Sequence, residues 1–129
     1  MRKALVVDDS RAIRMILGRT LRELGYEVGE AGDGKEALEM LEKDAAQYRL
    51  VLVDWNMPVM NGLELLESLR AREKFSSLLI VMVTTETELG HMALALEAGA
   101  NEYVMKPFTK DILVSKLEMV GAVANGMAA

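Results

Sequence analysis

The chain has 129 residues, with 15 Lys and Arg against 20 Asp and Glu, no Cys, and 51% hydrophobic residues. That length suits one domain, which buries about two-thirds of its unfolded surface and needs no disulfide or structural metal to hold together. A formal charge of −5 argues against a nucleic-acid partner, because phosphates repel an acidic chain whose basic residues are not clustered, and the lack of Cys is compatible with the reducing cytoplasm.

The first apolar run, Ala4 to Val7, has strand length and stops at Asp8, far short of a signal-peptide core. Ile13, Leu17, Leu21 and Leu24 then recur on one helical stripe, with Arg11, Arg14, Arg19 and Arg22 mostly off it, which predicts an amphipathic helix with a basic outer face that Gly25 terminates. Tyr26 to Ala31 is a second strand. Asp33-Gly34 makes a turn with Asp33 as N-cap, and Ala37, Leu38 and Leu41 follow at helical spacing. After a third strand, Leu50 to Val53, a helix is expected from about Gly62 to Arg72 with Leu63, Leu66 and Leu69 inward and Glu64, Glu67 and Arg70 outward. Leu78 to Val83 is the fourth strand, and the helix after it places Leu89, Met92, Ala93 and Leu96 inward and ends at Gly99. Tyr103 to Met105 is the fifth strand, and Thr109 caps a last helix whose buried stripe is Leu113, Leu117 and Val120. The domain is thus expected over residues 1–120, with a small-residue tail, 121–129, as a fraying end. The longest uncharged stretches, such as Phe75 to Thr85, fall short of the roughly 18 apolar residues that a membrane span needs, so no membrane insertion is expected.

Five strands alternating with five helices predict an α/β fold with a doubly wound parallel sheet. Strands 1, 3 and 4 are apolar on both faces and belong in the interior, whereas Glu27 and Glu30 mark strand 2 as an edge and the short fifth strand, flanked by Glu102, is the other. Right-handed crossovers then favour the order 2-1-3-4-5, which is flavodoxin-like, with its topological switch between strands 1 and 3.

Ligands of such sheets bind outside the carboxyl ends of the strands, at the switch. Strand 1 ends in Asp8-Asp9, strand 3 in Asp54, strand 4 in Thr84-Thr85 and strand 5 in Lys106-Pro107. Three carboxylates crowded together require a proton or a cation among them, and an oxygen-only ligand set suits Mg2+. Such an ion leaves positions for phosphate oxygens, while Lys106 and the Thr84 hydroxyl can hold others, so the constellation points to phosphoryl transfer with Asp54 as the nucleophile. Each piece alone has a plainer reading: Asp8-Asp9 as a cap for the first helix, Lys106-Pro107 as a loop, Thr84 as an approach to a helix.

Over about Lys3 to Val120 the chain resembles the receiver domains of two-component response regulators. Asp54-Trp55-Asn56-Met57-Pro58-Val59-Met60-Asn61-Gly62 is similar to the family's phosphoacceptor motif, and Asp8-Asp9, Thr84 and Lys106-Pro107 fall at its other signature positions. The resemblance implies phosphorylation of Asp54 by a histidine kinase or histidine phosphotransfer protein, and Mg2+ held by Asp8, Asp9, Asp54 and the Asn56 backbone carbonyl, with Asp8 acting through a water. It further implies that Thr84 and Lys106 take phosphoryl oxygens, that the Lys106-Pro107 bond is cis, and that Tyr103 rotates inward as Thr84 and Lys106 are drawn to the phosphoryl group. The face formed by helix 4, strand 5 and helix 5 then becomes the target-binding surface. Trp55, Asn56, Glu86 and Tyr103 together resemble the single-domain chemotaxis regulators, with Asn56 and Glu86 tuning the path of hydrolytic water. Thr85, where the family commonly has a residue such as Ala, is expected to crowd the phosphoryl entrance.

On this reading the protein is a monomeric, cytoplasmic signalling module rather than an enzyme. A phosphorelay carrier that donates to a phosphotransfer protein is the alternative within the same chemistry. A Mg2+-dependent phosphatase of the haloacid-dehalogenase type is a weaker one, since that family places its nucleophile on the first strand with a second Asp two residues on, where this chain has Asn56. Flavin binding is disfavoured by the acidic turn after strand 1. Met15 is either a contact for the phosphohistidine donor or an exposed side chain, Leu94 either part of the target face or a stray surface residue, Met92 core, and the lone His91 an exposed polar residue without metal-binding neighbours.

Overall fold

The computed structural model describes residues 2–85 and 89–124, except for the side chain of Leu89. Glu86 therefore lies outside the described residues, as does the end of the tail. The elements are β1 (Lys3–Val7), α1 (Arg11–Glu23), β2 (Glu27–Ala31), α2 (Gly34–Lys43), β3 (Tyr48–Val53), α3 (Gly62–Arg70), a 3-10 turn at Glu73–Phe75, β4 (Leu79–Thr84), α4 (Leu89–Glu97), β5 (Glu102–Met105) and α5 (Lys110–Met119). All strand pairs are parallel and the order is β2-β1-β3-β4-β5. The expected flavodoxin-like topology is present. No described helix is long and apolar enough to cross a membrane.

Strand periodicity divides the core in two. On one face Leu5, Val7, Val51, Val53, Ile80 and Met82 pack with α2, α3 and α4, and on the other Ala4, Val6, Leu50, Leu52, Val81 and Val83 pack with α1 and α5. Three local signals hold as expected. Asp33 accepts from the Glu36 amide at the start of α2, Thr109 does the same for Ile112 at α5, and Gly25 takes a positive φ of 96° after α1.

Several sequence-based placements require correction. Leu65 rather than Leu63 joins Leu66 and Leu69 as fully buried in α3, and Leu63 is half-buried. Arg70 is not an outward residue: its guanidinium donates to the carbonyls of Gly99 and Phe75 and to Asn101 Oδ1, each at 2.9 Å, so it ties the end of α3 to the loop before β5. In α4, Ala95 is buried while Ala93 and Leu96 are exposed, so the inward side of the helix is turned by one residue from Leu96 to Ala95. Met92 does pack against the core. In α5, Val114 is buried beside Leu113 and Leu117, and Val120 is half-buried. The domain also runs past residue 120. Ala122 and Val123 are buried against the α1/α5 core, and the Ala122 carbonyl accepts from Arg2 and from the Tyr26 hydroxyl.

Gly62 couples the start of α3 to the turn that carries Asp54. A Cβ there would overlap the Asp54 carbonyl oxygen and press on the Trp55 backbone, so α3 can start against this turn only with a glycine at its first position. Asn61 completes that start with a reciprocal capping box to Glu64. Gly62→Ala is expected to lose about 2–3 kcal/mol of stability in urea unfolding, the cost of overpacking against backbone. Gly90→Ala, on the exposed side of α4 with nothing within 4 Å, is expected to gain up to about 1 kcal/mol from helix propensity; equal effects at the two sites would contradict the role given to Gly62.

Candidate functional site

The carboxyl edge of the sheet gathers the expected side chains. Asp8 follows β1 and its amide donates to the Ala31 carbonyl at the end of β2, and Asp54 follows β3 with its amide on the Val7 carbonyl, so ladder bonds carry both residues one step beyond their strands. Ser10, not either aspartate, is the N-cap of α1, its hydroxyl accepting from the Ile13 amide. Capping therefore does not explain Asp8-Asp9. Carboxylate oxygens of Asp8, Asp9 and Asp54 lie within 4.8 Å of one another, with Asp8 and Asp54 buried and Asp9 exposed.

Lys106 reaches this cluster from the end of β5. Its Nζ is 2.7 Å from Asp8 Oδ2 and 3.2 Å from Asp54 Oδ2. The Lys106 amide donates to the Thr84 carbonyl, and the Lys106-Pro107 bond is cis. Asp54 Oδ1, by contrast, is the one buried side-chain oxygen among the described residues without a hydrogen-bond partner. A buried carboxylate oxygen aimed into a cluster of acids and left without a donor is suited to a cation, and the all-oxygen set is that of a hard divalent ion. The residues present thus fit a metal ion.

Burial is the main influence on Asp8 and raises its carboxyl above the ordinary value; hydrogen bonds from Lys106 and the Ser10 amide and the charge of Lys106 oppose it, and the charge of Asp54 adds a smaller upward push.

Residues 4–118 match the response regulator receiver domain. The chain belongs to that family. It is 48% identical over 119 residues to the chemotaxis protein CheY1 of Helicobacter pylori, covering 92% of this chain and 95% of that one. It is 45% identical to a CheY homologue of Campylobacter jejuni, covering 98% of each. Among solved structures, CheY4 of Vibrio cholerae superposes with a TM-score of 0.84 at 38% identity, covering 93% of this chain and 98% of that one.

The remaining receiver positions fall around this cluster. Thr84, the last residue of β4, is fully buried, and Thr85 beside it is exposed. Asn56 is exposed in the β3–α3 loop, where Val59 adopts a positive φ of 69°. Tyr103 is buried among the core residues on the α2/α3/α4 side of the sheet. His91 also departs from expectation: it is half-buried and stacks on Trp55, the residue after Asp54, with ring centroids 4.8 Å apart. Sequence reasoning missed this contact, since the two residues are 36 positions apart and neither carries a periodic signal. It also misplaced Arg14, which is not on the outer basic face: it bonds the Asp8 carbonyl and Glu30. Met15 and Leu94 are exposed.

A carboxyl whose folded-state pKa lies above its unfolded value favours folding while protonated, and that contribution is lost as pH rises through the folded pKa. Ionised Asp8 therefore costs stability at neutral pH in metal-free protein. Asp8→Asn is expected to melt above the wild type in chelator at pH 7, with the difference shrinking as acid protonates the wild-type group. A metal-free Asp8→Asn protein that melts below the wild type at pH 7 would contradict this.

Proposed function

We propose that the protein is a stand-alone response regulator of the chemotaxis type: Asp54 accepts a phosphoryl group from a histidine kinase or phosphotransfer protein, with Mg2+, and the α4–β5–α5 face then binds a target protein. The observation that carries this reading is Asp54 itself, buried at the end of the central strand with one oxygen beside an ammonium and the other without a partner among carboxylates. The near-complete coverage of chemotaxis relatives supports the pathway.

In the proposed reaction an Asp54 carboxylate oxygen attacks phosphorus, the phosphorus–nitrogen bond to the donor histidine breaks, and the electron pair remains on the imidazole, which takes up a proton. Asp8, Asp9, Asp54 and the Asn56 carbonyl would hold Mg2+, with Asp8 acting through a water. The ion supplies charge compensation for the phosphoryl oxygens. Lys106 shifts its pairing from the carboxylates to a phosphoryl oxygen, and the Thr84 hydroxyl donates to another. Water entering past Asn56 later attacks phosphorus and releases inorganic phosphate, restoring the carboxylate. Phosphoryl uptake and hydrolysis both take place at Asp54, and the useful outcome is a changed surface, so the chain acts as a signalling module rather than an enzyme.

The surfaces support two contacts. Leu94 and Leu96 on α4, Met105 on β5, and Ile112 and Met119 on α5 are exposed apolar side chains on the proposed target face. Met15 and Ile16 are exposed on α1, and Ile13 and Ile16 line a cavity of about 450 Å³ with Lys106, Pro107 and Phe108 beside the acceptor, which suits the donor. The protein would act as a monomer in the cytoplasm.

Incubated with acetyl phosphate and Mg2+, the wild type is expected to gain one phosphoryl group per chain by intact-mass measurement, and Asp54→Asn none. Labelling of Asp54→Asn to the wild-type extent, or an unlabelled wild type, would sink the assignment.

A further inference from the structure

We infer that Arg14 is a positioning residue for the divalent-cation site: it fixes the Asp8–Asp9 peptide and so sets the direction in which the acidic pair presents its oxygens. The inference rests on the proposed function in taking Asp8, Asp9 and Asp54 as the cation site.

Arg14 lies one turn into α1, where its amide donates to the Ser10 carbonyl. Its side chain, only 18% exposed, turns back toward the sheet edge instead of into solvent. Nη1 donates to the Asp8 carbonyl at 2.5 Å, and Nε donates to Glu30 Oε1 at 2.9 Å. Glu30 is on β2, beside Val6 of β1, so the guanidinium spans α1, β2 and the turn between β1 and α1.

Asp8 is consequently held at four points: its amide by the Ala31 carbonyl, its Oδ1 by the Ser10 amide, its Oδ2 by Lys106, and its own carbonyl by Arg14. The Asp8 carbonyl belongs to the same rigid peptide plane as the Asp9 amide. Fixing that plane fixes the position of the Asp9 Cα and the axis about which its side chain can turn, which restricts where the exposed member of the cluster places its oxygens. The pair Arg14–Glu30 is close to neutral as a unit, so its effect on a cation is geometric more than Coulombic. Arginine suits the task because its planar fork makes both bonds from one rigid group; a lysine ammonium, a compact point charge, cannot span both acceptors in that geometry.

Charge and geometry make opposite forecasts for Arg14→Gln. Removing a positive charge near a cation site would tighten binding, whereas releasing the Asp8–Asp9 peptide would weaken it. Titration of metal-free protein with Mg2+, followed by calorimetry or by fluorescence of Trp55 beside Asp54, is expected to show about tenfold weaker binding for Arg14→Gln, the size typical of losing a group that orients a metal ligand. Arg14→Lys is expected to weaken binding as well although it keeps the charge, and Arg19→Lys, an exposed arginine on the same helix, to leave it unchanged. Melting in chelator verifies that each variant is folded, and Arg14→Lys decides the matter should Arg14→Gln not fold. Wild-type affinity in Arg14→Lys, or equal or tighter binding in Arg14→Gln, overturns the inference while leaving the proposed function intact. A wild type that does not bind Mg2+ overturns both.

Discussion

The structure is organised around an electrostatic problem: three carboxylates meet at the ends of neighbouring strands, and one ammonium, that of Lys106, lies between two of them. With all four groups ionised, two negative charges remain without a partner. In water such crowding would be dissipated by solvent and by motion of the side chains, but Asp8 and Asp54 are buried and held by ladder bonds, so the repulsion is not screened away. The parallel sheet makes this possible, because it ends every strand on one edge and brings residues 8, 54 and 106 together with little chain between strand and site. Lys106 offsets part of the cost, and a divalent cation would offset the rest. The upward displacement of the Asp8 carboxyl comes first from this burial, and the neighbouring Asp54 charge adds a smaller push in the same direction.

Two long-range contacts anchor α4. Trp55 follows Asp54 in the chain and stacks on His91, which anchors the first half of α4. The second fixes the other end of the helix: Arg70, at the end of α3, binds the Gly99 carbonyl just past α4 and Asn101, whose Oδ1 also accepts from the Ile80 amide of β4. Between these anchors α4 buries little, with Ala95 as its fully buried side chain and Leu94 and Leu96 outward. Met92 and Ala98 also pack against the core between these anchors. The exposed apolar side chains of the neighbouring elements are Met105 of β5 and Ile112 and Met119 of α5.

The order of elements and the composition of the site were legible in the sequence because both rest on strong local signals. Doubly apolar strands such as Val51-Leu52-Val53 identify the sheet interior, and a charged residue immediately after an apolar run, as at Asp8, Asp54 and Lys106, marks the carboxyl edge. The failures share a different cause. Arg14 and Arg70 read as outward by helical phase, but each is long enough to turn back and satisfy backbone carbonyls across the fold, which periodicity does not register. In α4 the hydrophobic residues run on both flanks, Leu94 and Leu96 on either side of Ala95, so periodicity alone does not single out the inward one. Ala122 and Val123 look like a tail by composition, and are held by Arg2 and Tyr26 from the opposite end of the chain.

These misread residues do similar physical work. Arg14, Arg70 and Tyr26 donate to backbone carbonyls that secondary structure leaves open, at the turn after β1, the end of α4 and the end of α5 respectively. Buried carbonyls without donors are costly, and one side chain reaching over from another element both removes that cost and ties the two elements together. Among the described residues Asp54 Oδ1 stands as the exception. The surrounding fold satisfies its polar groups with long-range donors and leaves a buried carboxylate oxygen open at the one position where charge is most crowded. A donor placed there would stabilise the resting domain and fill the coordination position that a cation or a phosphoryl group needs. In the proposed function that oxygen is the atom offered to the cation or the phosphoryl group.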